Sequence, residues 1–182
     1  MTSAPAAASY GPELLVGPAD FSNAAWIKTR TTVTADNAAA SGGGMTADTA
    51  METAITGTHR LHQAGIRESG ARYRYEVVLK ANGRDLVDLE MSDNLTGQAG
   101  ALFNLPVPDA TDTGDATWTS STRSIVALAG GFFRCVIEAT GPALGTDFIA
   151  AIGLRNAGFA TSYLGDVTLG IILESASFKK VL

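Results

Sequence analysis

The chain has 182 residues, 46% of them apolar and 17% charged, with 13 Lys and Arg against 18 Asp and Glu for a formal net charge of -5. That length fits one domain with a core of its own, and the acidic balance argues against a nucleic-acid binder, which needs a basic face. Cys135 is the single cysteine, which excludes an intramolecular disulfide framework and a cysteine-based zinc site, and the sequence holds no run of about 18 apolar residues to form a transmembrane helix.

The first 17 residues read as an arm. Pro5, Pro12 and Pro18 interrupt any helix, and the alanines between them offer little to bury. Met1 to Ser9 carries neither Lys nor Arg and lacks a long apolar stretch, so it does not resemble a secretory signal, and synthesis in the cytoplasm is expected. Weak strand signals follow near Glu13–Val16 and Ile27–Val33. Ala35 to Thr56 departs from the strand pattern: Gly42 to Gly44 mark a loop, and the alanines after it admit a helix from about Ala47 to Ala54. His59–Ala64 returns to a strand. From there period-2 alternation dominates. Tyr73, Tyr75, Val77 and Leu79 share one face, with Arg72, Arg74, Glu76, Val78 and Lys80 on the other. Asn82-Gly83 is a hairpin signal. Val87, Leu89 and Met91 then point inward while Asp88 and Glu90 point out. Ala101–Leu105 and Ser124–Leu128 are weaker strands. Phe133, Cys135, Ile137 and Ala139 form an inward set, as do Phe148, Ala150, Ile152 and Leu154. Val167, Leu169, Ile171 and Leu173 form the last. Turn residues separate these runs at Asn94, Gly97, Asp109 to Gly114, Gly130-Gly131, Gly141-Pro142 and Gly165. Roughly ten short strands at such spacing predict an all-β antiparallel sandwich or jelly roll over residues 18–182, preceded by the arm.

Phe21-Ser22-Asn23-Ala24-Ala25-Trp26 stands just after Glu13-Leu14-Leu15. Gly130-Gly131-Phe132-Phe133-Arg134-Cys135 follows in the middle, and Gly165-Asp166-Val167-Thr168-Leu169 with Leu173-Glu174 near the end. This set resembles the carbohydrate-binding-module-like jelly rolls of phage tail, fibre and head-appendage proteins, across nearly the whole chain beyond the arm. Phe132 stands where that family commonly has Trp, and Gly170-Ile171-Ile172 replaces a more polar stretch. The resemblance implies a structural virion protein, a decoration, head-fibre, spike or tail appendage, that reaches the virion surface after assembly in the host cytoplasm. It implies docking to other virion proteins through the arm, and suggests association with further copies of itself as a closed oligomer such as a trimer. Host surface polysaccharide is the expected ligand, with nucleic acid and membrane insertion excluded. A glycan-binding adhesin or ancillary carbohydrate-binding module free of any particle is the alternative.

Candidate site residues follow from sugar chemistry, which uses an aromatic ring against the pyranose face and planar polar groups on the hydroxyls. Trp118, in the polar stretch Ala116-Thr117-Trp118-Thr119, is the candidate platform, against the alternative that it caps the core. Arg72 and Arg74, with Glu76 and Lys80, line one strand face. Joined to Asp88 and Glu90 across a hairpin they would make a polar groove for acidic or neutral sugars; the alternative is a solvated face of ion pairs. His59 and His62, three apart, point to opposite faces of a strand and cannot share a metal unless that segment is helical. Cys135 reads as a buried small hydrophobe. No cofactor is required. Related jelly rolls carry a structural calcium near the chain ends, which by resemblance points to Glu13 and Asp166. Asn94-Leu95-Thr96 matches a glycosylation sequon. No phosphate loop, dinucleotide fingerprint or Ser/His/Asp order is present, so binding rather than catalysis is the expected activity.

Overall fold

The computed structural model describes residues 8–93 and 97–182; the Asn94–Leu95–Thr96 sequon lies outside them. The strands are β1 (Tyr10–Glu13), β2 (Ile27–Thr29), β3 (Thr31–Ala38), β4 (Ala47–Glu52), β5 (Thr56–Gly57), β6 (His59–Ile66), β7 (Arg72–Asn82), β8 (Leu86–Asp93), β9 (Gly97–Asn104), β10 (Asp109–Asp112), β11 (Thr119–Ala127), β12 (Phe133–Thr140), β13 (Asp147–Arg155), β14 (Tyr163–Leu164) and β15 (Gly170–Val181). One layer of the sandwich runs β11-β12-β7-β15-β4-β3, with β1 also paired to β15, the other runs β10-β9-β8-β13-β6-β2, and β14 and β5 form a separate two-stranded sheet. Every pairing between these strands is antiparallel among the described residues. The result is the expected all-β jelly-roll sandwich.

Alternation builds the core. Tyr73, Tyr75, Val77 and Leu79 of β7 are all at most 1% exposed, and they face Val87, Leu89, Met91, Phe148 and Ile152 of the other sheet in a single apolar cluster. Phe178 of β15 ties the layers together: its ring stacks on Tyr73 at 5.1 Å and on Phe148, from the opposite sheet, at 4.4 Å. Such aromatic pairs add to the free energy of burial. Cys135 is fully buried, and burial pushes its thiol up to about 12, which keeps it inert. The Phe21–Trp26 motif is also packing. The two rings lie 4.9 Å apart, and Trp26 Nε1 donates to the Gly17 carbonyl at 3.1 Å.

Four local expectations change. The body starts before residue 18: β1 pairs with the end of β15, and Leu15 is 5% exposed in the main core. Residues 1–7 lie outside those described. The helix expected over Ala47–Ala54 is the strand β4. Alanine carries no β preference, but Asp48, Ala50 and Glu52 alternate inward at 2%, 0% and 1% exposure. The carboxylates are accommodated because Asp48 accepts the Phe21 and Asp36 N–H groups. The expected Ile27–Val33 strand is broken at Arg30, whose φ of 51° sends β2 and β3 into different sheets. Val167 is 60% exposed rather than inward, because β15 begins at Gly170; a side chain there would collide with the Ala50 carbonyl.

The Asn82-Gly83 turn carries the largest consequence. Gly83 sits at φ 85° as a turn requires, yet β7 and β8 do not pair. β7 lies between β12 and β15, and β8 between β13 and β9. The turn crosses from one sheet to the other.

Candidate functional site

That crossing separates the residues expected to form one groove. Arg72 and Arg74 lie on the outer face of the seven-stranded sheet, and Asp88 and Glu90 on the outer face of the six-stranded sheet, with the core between them. The arginine face is a ladder of ion pairs. Arg74 bonds Glu138 at 2.9 Å and Glu76 at 2.6 Å, Arg72 reaches Glu138 at 3.4 Å and the Ser120 carbonyl at 2.8 Å, and Arg134 meets Glu76 at 3.1 Å. These partly exposed pairs are the solvated alternative.

Trp118 is not a platform. It is 2% exposed, with the Arg67 guanidinium over its ring at 5.3 Å. Its polar neighbours suggested an open ring, but it precedes the edge strand β11 and packs inward under Gly141, where a Cβ would touch the indole at 3.4 Å. The two residues singled out for calcium also do not meet. Glu13 pairs beside Lys179 and Asp166 precedes Gly170, at opposite ends of a strand where nine residues span about 30 Å. Each carboxylate has local work. Glu13 Oε1 accepts the N–H groups of Leu14, Leu15 and Phe178, and its Oε2 accepts the Ser177 hydroxyl. Asp166 accepts both the N–H and the hydroxyl of Thr168, which hold its carboxyl below the usual range. Among the described residues no group of three or more His, Cys, Asp or Glu gathers to hold a metal, so these residues do not fit calcium, which wants six to eight oxygens.

Asp88 and Glu90 do belong to a concave site. Register places Arg60 (β6), Gly153 (β13), Asp88 (β8) and Leu102 (β9) in one cross-strand row, and His62, Ala151, Glu90 and Gly100 in the next. Gly153 lies between Arg60 and Asp88, and Ala151 between His62 and Glu90, so almost no side chain fills the space over β13. A groove of about 280 Å³ results, walled by Arg60, Asp88, Glu90, Gln98 and Arg155. Glycine inside a strand commonly marks a close approach by a ligand or another backbone. A Cβ at Gly153 would make only ordinary contact, 3.5 Å from Asp88 Cβ, so packing does not require glycine there.

The charges balance but are unevenly engaged. Asp88 Oδ2 accepts from Arg155, and its Oδ1 accepts the Thr113 hydroxyl at 3.1 Å. Burial nonetheless raises the Asp88 carboxyl, outweighing Arg155. Glu90 accepts the Ser92 hydroxyl at 2.7 Å, and Gln98 Nε2 donates to the Thr113 carbonyl at 3.2 Å. His62 is lowered by burial, and by the Arg60 charge, against the opposing pull of Glu90.

A loop borders the groove. Arg155 and Thr161 both line it, and between them Phe159 is 60% exposed at φ 63°. A bulky residue in the left-handed region is an outlier that surrounding structure must hold. Here Asn156 does so: its carbonyl accepts Phe159 N–H and its side-chain oxygen accepts Ala160 N–H, both at 2.9 Å. Arg60, Gln98, Arg155 and Phe159 escaped the sequence analysis. The available signal was Gly153, a glycine within an otherwise apolar strand.

The fold has known counterparts. No protein-family model matches the sequence, and no curated protein matches it. Among solved structures, TmCBM61 in complex with β-1,4-galactotriose is similar with a TM-score of 0.54 at 11% identity, covering 93% of this chain and 99% of that one. The enzymatically active domain of bacteriophage CBA120 tailspike protein 4 also gives 0.54, at 13% identity, covering 92% of this chain but 21% of that one. TmCBM27, a mannan-recognising carbohydrate-binding module, gives 0.45 at 12% identity over 96% and 99%. At such identities the likeness establishes the fold, a jelly roll of the carbohydrate-binding-module type, and function has to be argued from the site.

Proposed function

We propose that the protein is a glycan-binding jelly roll that serves as a structural component of a phage or phage-like particle, and that the groove of the six-stranded sheet is its sugar site. The observation that carries the sugar reading is the Gly153–Ala151 floor walled by amide and ionic side chains. It leaves room for a ring and surrounds it with groups that hydrogen-bond hydroxyls. Exposed Phe159 on the bordering loop supplies the apolar surface that the floor lacks. The jelly-roll likeness to a module solved with a galactotriose supports this reading. The particle reading is supported by the motifs around Phe21–Trp26 and Gly130–Cys135 and by the likeness to a tailspike domain. Binding is favoured over bond cleavage because Arg155 and Thr113 occupy both oxygens of Asp88, which leaves Glu90 as the one other carboxyl lining the groove where glycoside hydrolysis uses a pair. Weak single sites would gain avidity from many copies on one particle.

The test is binding of the labelled protein to host-type cells and to their extracted surface polysaccharide, beside Gly153→Leu, which fills the groove from a position with space for a side chain. Saturable wild-type binding, competed by the extract and lost in Gly153→Leu at unchanged melting temperature, is expected. Equal binding by the variant would remove the groove from the function. No binding by either would leave a stabilising or decorating role on the particle.

A further inference from the structure

Resting on the groove as a sugar site, we propose that it reads acidic glycans, with Arg60 as the anchor for the carboxylate of a uronate-type sugar. The argument is one of unspent charge. Four ionic side chains wall the groove, and three are engaged. Asp88 is held by Arg155 and Thr113, which also occupies Arg155, and Glu90 accepts from Ser92. The Arg60 guanidinium takes part in no hydrogen bond or ion pair with any described residue. Gly153 stands beside it in register, so no neighbouring side chain on β13 covers it.

Asp88, the nearest acid across that row, is already neutralised by Arg155. One end of the groove therefore presents a surplus cation, and the Glu90 end a surplus anion. A planar guanidinium fork matches a carboxylate through two parallel N–H···O bonds. A singly charged carboxylate is what one free guanidinium balances; a dianionic phosphate monoester would bring excess negative charge beside Asp88 and Glu90. At the other end Glu90 has an oxygen free to accept a sugar hydroxyl. The groove thus has a direction, which orients an acidic residue within a chain.

The experiment measures binding to uronate-containing polysaccharides (polygalacturonate, alginate and hyaluronan), to the same polymers after reduction of their carboxylates to primary alcohols, and to neutral galactan, mannan and dextran. Wild type is compared with Arg60→Gln and Gly153→Leu, each checked for an unchanged melting temperature. The expected result is binding to at least one acidic polymer that falls by at least about tenfold on carboxyl reduction and equally in Arg60→Gln, the size expected for a charge-assisted hydrogen bond. It should also weaken with added salt. Binding to neutral or reduced polymers that Gly153→Leu abolishes and Arg60→Gln leaves intact would overturn the acidic class while the groove reading stands. Acidic binding that survives Gly153→Leu would place the ligand elsewhere and overturn both. Absence of binding to every polymer would count against both as well.

Discussion

Glu52→Ala should remove one of the strongest supports of the loops that frame the groove. The Glu52 side chain is fully buried at the end of β4, and four donors converge on it. Arg84 Nε and Nη2 reach it at 2.5 and 2.8 Å, the Tyr163 hydroxyl at 2.5 Å and the Asp166 N–H at 2.9 Å. The clasp joins β4, the turn after β7, β14 and the approach to β15. Alanine would strand a largely buried guanidinium, a hydroxyl and an amide at once. Breaking a buried ion pair from one side costs about 3–5 kcal/mol, and a domain of this size loses about 2–4 °C per kcal/mol, so melting should fall by about 6–20 °C. Urea unfolding by fluorescence and calorimetry would measure it. The pH dependence gives a second readout. Burial pushes the Glu52 carboxyl up, but Arg84, Tyr163 and the Asp166 N–H outweigh it and leave it below its ordinary value of 4.5. A depressed carboxyl stabilises the folded state above its unfolded pKa, and that stabilisation is lost as pH falls through the folded one. The gap between wild type and Glu52→Gln should be constant near neutrality and shrink below about pH 4.5. A loss under about 1 kcal/mol for Glu52→Ala, less than the usual cost of one buried unsatisfied group, would refute the clasp.

Two further substitutions separate packing from recognition. Trp118→Ala should cost about 3–5 kcal/mol of stability as a large-to-small core change, seen as a drop in melting temperature, while glycan affinity of the folded fraction stays unchanged; a selective loss of affinity at wild-type stability would restore Trp118 to the site. Phe159→Gly should stabilise the loop by about 1 kcal/mol, since glycine takes the left-handed conformation freely, and should weaken glycan binding if the ring borders the sugar. A more stable variant with wild-type affinity would show that the strain serves something else.

The sequence carried the layers well and their connections poorly. Tyr73 to Leu79, Val87 to Met91 and Phe148 to Leu154 were legible because each strand has one buried face, and a period of two then fixes which side chains enter the core. β4 was illegible because two of its inward positions are carboxylates, whose burial depends on donors from Phe21, Asp36, Arg84 and Tyr163 that only the folded chain supplies. The expected groove is divided between the two sheets. Asp88 and Glu90 do face outward together, but a turn signal at Asn82-Gly83 marks a reversal of the chain without saying whether the next strand joins the same sheet. Pairing them with Arg72 and Arg74 required that missing fact. Arg60 and Arg155 were not legible as its neighbours because they lie 28 and 67 residues from Asp88 along the chain and are brought alongside by register.

The same alternation that hides the core makes the groove rigid. Ile152 lies in register between Leu61 of β6 and Leu89 of β8, all three fully buried. The residues one step along each strand, Gly153, Arg60 and Asp88, face outward as the groove's central row. Moving any backbone of that row would shift Leu61, Ile152 or Leu89 within a close-packed interior, where loss of a methylene's contacts is already felt. The floor and the Cα positions of the walls are therefore set by the core, and a glycan bound in the proposed site would meet them preformed. What can still adjust is the Arg60 side chain, which nothing described restrains, and the loop at Phe159. Affinity gained by fixing Arg60 in advance, for instance by an acid placed to hold it, would come at the cost of occupying the one charge left for the ligand.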